Sequence, residues 1–517
     1  MARTPLFGDI RRALTIALTA THAQSPPIDE LIGMDAPRRR ARAAISRRAV
    51  LGGAFGATLL PSLPATAQRA LARSAARIAI VGGGLAGLTA AHRLVAAGAR
   101  HVTVYEANRR IGGRVFSGRD VVGAGMIVER GGSFINTEHA DMLALCQEFG
   151  LSLEDATAGE DGKLTASYFI VGAHRSLDEI AGAAGDLVRQ LDAMRKEEGS
   201  EAEARHDQLT SAALLDRIGV SGWLRRLLDI GLTQEMGLEP DRMTALYLIE
   251  SFAPDPAKPR TGLFSSDQRY QIVGGNDRLP AAIAAKLDHR VRPLHRLEAL
   301  RRRGQAYALT FDRGGSVSEI TANIVILTLP LTMLRNVQLD IGLSRLTRRA
   351  IRETSYGTNA KLFAGVAARP WRAQGRSGEC LNDLGFQTVW EDHARAGTGP
   401  GTFTIFAGGG TGVDFLRANA ASRARDVTQR LERALPGAAA AFTGLGGRMH
   451  WPSNPFVRGS YSCFAPRQMT EFADAFDPVE RVFFAGEHIS EKFSGYMNGA
   501  AESGRLAADA VAARLDG

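Results

Sequence analysis

Three glycines in the pattern Gly82-x-Gly84-x-x-Gly87 lie between an apolar run, Arg77-Ile78-Ala79-Ile80-Val81, and an Ala/Leu-rich segment from Leu85 to Ala97. Such a loop can cradle a pyrophosphate. The glycines permit a tight turn, close backbone approach and close helix packing, while Leu85 and Ala86 open a helix whose unpaired N–H groups and positive dipole end face the phosphates. Glu106 ends a second strand-like run, His101-Val102-Thr103-Val104-Tyr105, where a carboxylate can accept hydrogen bonds from both ribose hydroxyls. Strand, loop, helix and strand form a β-α-β unit of about thirty residues, and the whole pattern predicts a dinucleotide site.

The elements that must position this loop are scattered along the chain. Strand-like runs recur at Tyr270-Gln271-Ile272-Val273 and at Ile324-Val325-Ile326-Leu327-Thr328-Leu329, and again at Arg481-Val482-Phe483-Phe484-Ala485 before a helix from Gly499 to Leu515. From about Leu164 to Leu263 long amphipathic segments predominate, such as Ala181 to Lys196 and Leu209 to Ile230. Between Leu331 and Met449 helix and strand patterns mix. The expected class is α/β: a discontinuous, Rossmann-like binding domain from residues 76–135, 268–332 and 450–517. An α+β substrate domain at 333–449 and a helical subdomain at 136–267 complete it.

The formal charge of +9 is concentrated at the start of the chain, where the first 67 residues carry nine arginines against four acidic residues. The body is close to balanced, which argues against a polyanion-binding surface and hence against nucleic acid. Within that start, Ser46-Arg47-Arg48-Ala49-Val50-Leu51 precedes a short apolar run to Leu60, then Pro61, Pro64 and Ala65-Thr66-Ala67. This is the grammar of a twin-arginine export signal and predicts a periplasmic enzyme, with Met34 a candidate true start. The apolar run is too short to span a bilayer. Three scattered cysteines, Cys146, Cys380 and Cys463, suit neither a disulfide framework nor a metal site. A homodimer is compatible with the sequence.

Directly after Glu106 comes Arg109-Arg110-Ile111-Gly112-Gly113-Arg114, and near the other end stand Phe484-Ala485-Gly486-Glu487 and Ser494-Gly495-Tyr496-Met497-Asn498-Gly499. From about Arg77 to Leu515 these motifs resemble the flavin-containing amine oxidase family, near monoamine oxidase. The resemblance implies a Rossmann-like FAD-binding domain, with Arg114 adding charge-assisted contacts to the pyrophosphate. It also implies that Gly131 and Leu294 belong to the cofactor set and that Gly486 and Glu487 meet the ribityl-phosphate arm. Met497 would start a helix aimed at the flavin N1–C2=O edge, where its dipole stabilises negative charge. Trp451 to Tyr461 would lie beside the ring, and Tyr461 and Tyr496 would flank it as an aromatic cage that steers an amine nitrogen.

Departures from the family pattern carry further expectations. Ser460 stands where monoamine oxidase has a flavin-linking cysteine, so FAD should be non-covalent, with Cys463 the alternative for a shifted linkage. The family's lysine, which holds a water near flavin N5, is expected after the strand–Pro segment, yet Arg335 follows there; it is either a replacement or a surface arginine. L-amino-acid oxidases of this family carry a carboxylate-binding arginine where this chain has Phe134. The implied reaction is therefore hydride removal from an amine without an α-carboxylate, with oxygen or a periplasmic redox protein as acceptor. The rivals are an L-amino-acid oxidase using Arg269, Arg335 or Arg458, a C–C desaturase, and an electron-transfer subunit without a substrate of its own.

Overall fold

The computed structural model describes residues 5–20, 25, 27, 28, 30, 31 and 63–516, apart from 157–162, 198, 253–266 and 393–397. Five short strands make the central sheet: β1 (Ile78–Val81), β2 (Val102–Tyr105), β3 (Val291–Arg292), β4 (Ile324–Leu327) and β5 (Val482–Phe484). They are all parallel and ordered β5-β4-β1-β2-β3, so three distant stretches of chain close one layer. β1 and β4 are buried throughout, which is why each reads as an unbroken apolar run.

Two helices pack against this layer and against each other, Leu85–Ala96 and Met497–Asp516. Their crossing is tight because a glycine faces a backbone carbonyl: a Cβ on Gly504 would stand 2.2 Å from Ala86 O. A similar constraint holds Gly87, whose Cβ would meet Gly82 O at 2.0 Å.

A seven-stranded mixed sheet forms the second body. It runs from Phe442–His450 at one edge through Ala360–Val366 to Thr165–Ile170 and Ala173–His174 at the other. These last two strands lie inside the stretch expected to be helical. Thr165–Ile170 is held by parallel pairing with Arg376–Asn382, a partner far along the chain that local periodicity does not register. The rest of that stretch is helical, but its long amphipathic segments are broken. Helices Leu177–Ala183 and Gly185–Arg195 meet at Ala184, while Ser211–Ile218 ends at Gly219, which adopts φ 82° before helix Gly222–Met236.

Two further differences concern strands. Tyr270–Ile272 joins Leu153–Asp155 in a two-stranded ladder rather than the central sheet. A four-stranded sheet built on Arg296–Arg303 and Ala306–Asp312 lies where no strand was expected; its exposed arginines mask the alternation. The twin-arginine motif and its apolar run fall outside the described residues. Ala65-Thr66-Ala67 opens helix Ala65–Arg73, whose Leu71 is buried with residues of the final helix. Ahead of Met34, helix Pro5–Ala20 buries Leu14 and Ala17 among the helices of the second body. Among the described residues, no helix is long and apolar enough to cross a membrane, and no cluster of His, Cys, Asp and Glu could hold a metal ion.

The helix crossing gives a direct test of the fold. Gly504→Ala forces the two helices apart and should lower stability by about 1–3 kcal/mol, measured by denaturant unfolding. An unchanged midpoint would mean that the helices do not approach this closely.

Candidate active site

The chain leaves β1 through Gly82, at φ 114°, and enters helix Leu85–Ala96 with Gly84 at the N-cap and no side chain capping the first turn. A Cβ on Gly84 would meet nothing nearer than Gly113 Cα at 4.0 Å, so the loop is an open cradle under a positive helix end. Glu106, at the end of β2, accepts N–H bonds from Gly83 at 2.7 Å and Asn108 at 2.7 Å. Burial raises its pKa despite those bonds and the nearby Arg110. Gly82, Gly84, Leu85, Ala86 and Glu106 all line one long cavity, whereas Gly87 lies beneath the loop.

The middle of the cavity is organised by a buried ion pair. Arg114 Nη1 donates to Glu487 Oε1 at 2.7 Å and to the Ser460 carbonyl at 2.7 Å. Glu487 Oε2 accepts from Ser462 Oγ and from the Gly495 N–H, each at 2.9 Å. Burial by itself would raise the Glu487 pKa, but the Arg114 and His488 charges and the hydrogen bonds outweigh it and hold it below the ordinary value. Gly131 lies against this node; a Cβ there would overlap Arg114 O at 1.8 Å.

At the far end, Tyr461 and Tyr496 open onto the same cavity, together with Gly486, Met497 and Trp451. Tyr461 is anchored by its hydroxyl to the Glu235 carbonyl at 2.7 Å, and Trp451 by Nε1 to the Arg130 carbonyl at 3.0 Å. Tyr496 meets His139 edge-on, with ring centroids 5.1 Å apart. Other aromatic side chains line the same cavity: Phe134 tilts against Trp390, which meets Phe406 edge-on.

Two expected site residues are elsewhere. Arg335 does not line the cavity; its guanidinium donates to the Ile351 and Thr354 carbonyls, so it braces a neighbouring helix. Leu294 is 44% exposed and also outside the cavity, because the chain turns through φ 59° there and presents His295 and Leu297 instead. Cys463 is fully buried, pairs in a ladder with Ser355 and does not reach the cavity, which removes the shifted covalent linkage.

A lysine does line the cavity, but it lies further along the chain, at Lys361. It is buried in the cavity wall, and its Nζ donates to the Glu129 and Gly131 carbonyls and to Ser133 Oγ at 2.6–2.8 Å. Desolvation pulls its pKa down to about 8. A lone lysine in the apolar strand Ala360–Val366 was the signal in the sequence, since a buried ammonium is costly unless it serves a site. Asn136, Gln268, Trp390 and Phe406 were also missed; nothing local marks them as cavity residues.

Residues 85–512 match the family model described as flavin containing amine oxidoreductase. The chain belongs to this family. Among curated relatives it is 27% identical over 456 residues to a protein of Mycobacterium tuberculosis named as a flavin-containing monoamine oxidase, covering 85% of this chain and 97% of that one. It is 26% identical over 457 residues to an L-amino-acid oxidase of Vipera ammodytes ammodytes, covering 83% and 91%. In fold it is similar to cyclohexylamine oxidase from Brevibacterium oxydans, with a TM-score of 0.75 at 22% identity over 86% of this chain and all of that one. Putrescine oxidase is similar too, with a TM-score of 0.72 at 20% identity, covering 85% and 99%.

The enzyme is thus an oxidoreductase acting on amines with FAD as its cofactor, and its residues fit that group. The open glycine cradle and Glu106 suit the adenosine and pyrophosphate end. Gly486, Glu487 and Met497 suit the arm and the ring. With Ser460 in the cysteine position and Cys463 out of reach, the cofactor is held without a covalent bond.

The Arg114–Glu487 pair predicts a pH effect. A carboxyl whose pKa falls on folding contributes stability that is complete above its ordinary value of 4.5 and is lost as pH falls through the lower folded value. Glu487→Gln should therefore cost on the order of 3 kcal/mol near neutrality, with the gap from the parent enzyme narrowing in acid. Urea unfolding at a series of pH values measures it, and a gap that widens in acid would contradict the pairing.

Proposed function

We propose that this enzyme oxidises a neutral amine lacking an α-carboxylate, taking hydride from the carbon beside nitrogen. The imine product hydrolyses to an aldehyde or ketone plus ammonia or a smaller amine. Bound FAD supplies the hydride acceptor. Tyr461 and Tyr496 hold the amine nitrogen between their rings and, with the aromatic wall, exclude water. No side-chain base is needed, because the neutral amine is already the donor.

The observation that carries the reading is the state of the charged groups lining the described cavity. Glu106 is tied to backbone N–H groups, Glu487 to Arg114, and Glu298 to Arg296 at 3.0 Å. Arg110 is spent on the Ile111, Gly113 and Val115 carbonyls, and all the protons of Lys361 are donated to the protein. Among the described residues, each charged side chain lining the cavity already has a charged or backbone partner in the protein, so a substrate carboxylate or a second ammonium meets no uncommitted counter-charge there, and burying either without one is costly. The candidates for an amino-acid oxidase do not reach the cavity: Arg269 is paired with Asp155, Arg335 is braced on backbone, and Arg458 lies outside the lining.

Anaerobic mixing with amines tests this. Monoamines with apolar bodies should bleach the flavin absorbance, at a rate that rises with pH as the substrate loses its proton. Diamines of equal length should be slower by on the order of a hundredfold. Bleaching by amino acids alone would install the L-amino-acid oxidase reading in its place.

Oxygen or a periplasmic redox protein is the proposed acceptor, and Ser46-Arg47-Arg48 with its apolar run supports export by the twin-arginine route. Lys361 holds a proton at Nζ below about pH 8 and so places positive charge in the cavity where negative charge develops on oxygen. Reoxidation by air should therefore slow as pH rises through about 8, opposite in slope to the bleaching step. Lys361→Met should slow reoxidation by roughly tenfold or more while sparing bleaching; stopped-flow mixing of the reduced enzyme with oxygen reads both, and an unaltered rate would remove this role.

A further inference from the structure

His139 sits behind the cavity wall rather than in it, fully buried, in the turn that leads into helix Ala140–Glu148. Its Nδ1 accepts the Asn136 N–H at 3.1 Å, so the ring of a neutral histidine must carry its proton on Nε2. That N–H has no hydrogen-bond partner. The ring stands edge-on to Tyr496, at 5.1 Å between centroids and 69° between planes, and edge-on to Phe493 at 5.4 Å and 87°. Edge-to-face contact of this kind places the positive rim of one ring against the negative face of another and favours a defined tilt.

The surrounding contacts make this a fixed mount. The Met142 N–H donates to Asn498 Oδ1 at 3.0 Å, and Arg505 Nε donates to Asp141 Oδ1 at 2.6 Å, so the start of the His139 helix is fastened to the first half of the helix that follows Tyr496. Asn136, whose N–H orients the imidazole, lines the cavity itself and accepts from the Gln268 N–H at 3.0 Å. Burial pushes the His139 pKa down to about 3, which keeps the ring neutral and its tautomer constant over the working range.

We propose that His139 is a positioning residue for the aromatic cage: its ring edge sets the tilt of Tyr496 and hence the gap in which the amine nitrogen is held. This rests on the cage reading of Tyr461 and Tyr496. His139 touches neither substrate nor cofactor and acts only through Tyr496.

His139→Leu and His139→Phe separate this role from a structural one. Both remove the acceptor for Asn136 and should lower thermal stability alike, but only the leucine removes the ring edge. In anaerobic stopped-flow with FAD-saturated enzyme and a monoamine substrate, His139→Leu should lower the second-order rate of flavin bleaching by about tenfold. His139→Phe should recover it to within about twofold. In a Tyr496→Ala background the leucine substitution should have no further effect, since the ring it positions is gone. Equal losses in the leucine and phenylalanine variants, or a loss that persists without Tyr496, would overturn the proposal. Unchanged bleaching in Tyr496→Ala alone would overturn the cage, and the role of His139 with it.

Discussion

The ion pair between Arg114 and Glu487 is the interaction on which the site depends. Its two residues belong to segments at opposite ends of the sequence, and through them four stretches meet at one point: the loop after β2, the chain before Tyr461, the end of β5, and the turn that carries Tyr496. A buried pair of this kind contributes little net stability, because desolvation offsets the attraction. Its value is positional. With the Glu487 carboxylate saturated by the Ser462 hydroxyl, the Gly495 amide and Arg114, only one arrangement of those segments satisfies every buried charge.

Around that node the two bodies divide the labour. The parallel sheet supplies backbone: its glycine loop, its helix N-termini and a single carboxylate are what a dinucleotide requires. The seven-stranded sheet supplies side chains, with Lys361, Trp390 and Phe406 presented from neighbouring strands that pair through Lys361 and Phe406. Side chains on paired strands are held to the precision of the ladder, which suits a wall that must orient a small molecule. Loops supply the tyrosines and Phe134, and each tyrosine is braced from behind, Tyr461 by a backbone carbonyl and Tyr496 by His139.

The cavity's charges are managed rather than absent. Among the described residues, each carboxylate and cation in its lining is engaged by the protein, so the surface left uncommitted there is hydrophobic and aromatic rather than ionic. Lys361 is the exception in kind: its ammonium is stripped of water and is held by carbonyl and hydroxyl dipoles and the faces of Trp390 and Phe406, with the Asp392 and Glu129 carboxylates acting on it without direct contact. A cation so placed is held close to its titration point, where it can respond to charge that develops beside it.

What the sequence determined by itself was local. The strand, glycine loop, helix and terminal Glu106 are encoded within about thirty contiguous residues, and the final helix and its preceding turn are equally continuous, so most of the residues these segments bring to the cavity were legible in the sequence. Leu294 failed by one turn of the chain, because a positive φ at a leucine has no signature in composition. Arg335 and Lys361 show the limit more sharply. Proximity in sequence to the strand–Pro segment favoured Arg335, but which cation faces the cavity is decided by the register of Ala360–Val366 against Gly401–Ala407 and Phe442–His450. The strand Thr165–Ile170 and the pairing of His139 with Tyr496 are of the same type. Each depends on a partner distant along the chain, and a contact between distant segments exists only once the bodies that carry them have packed.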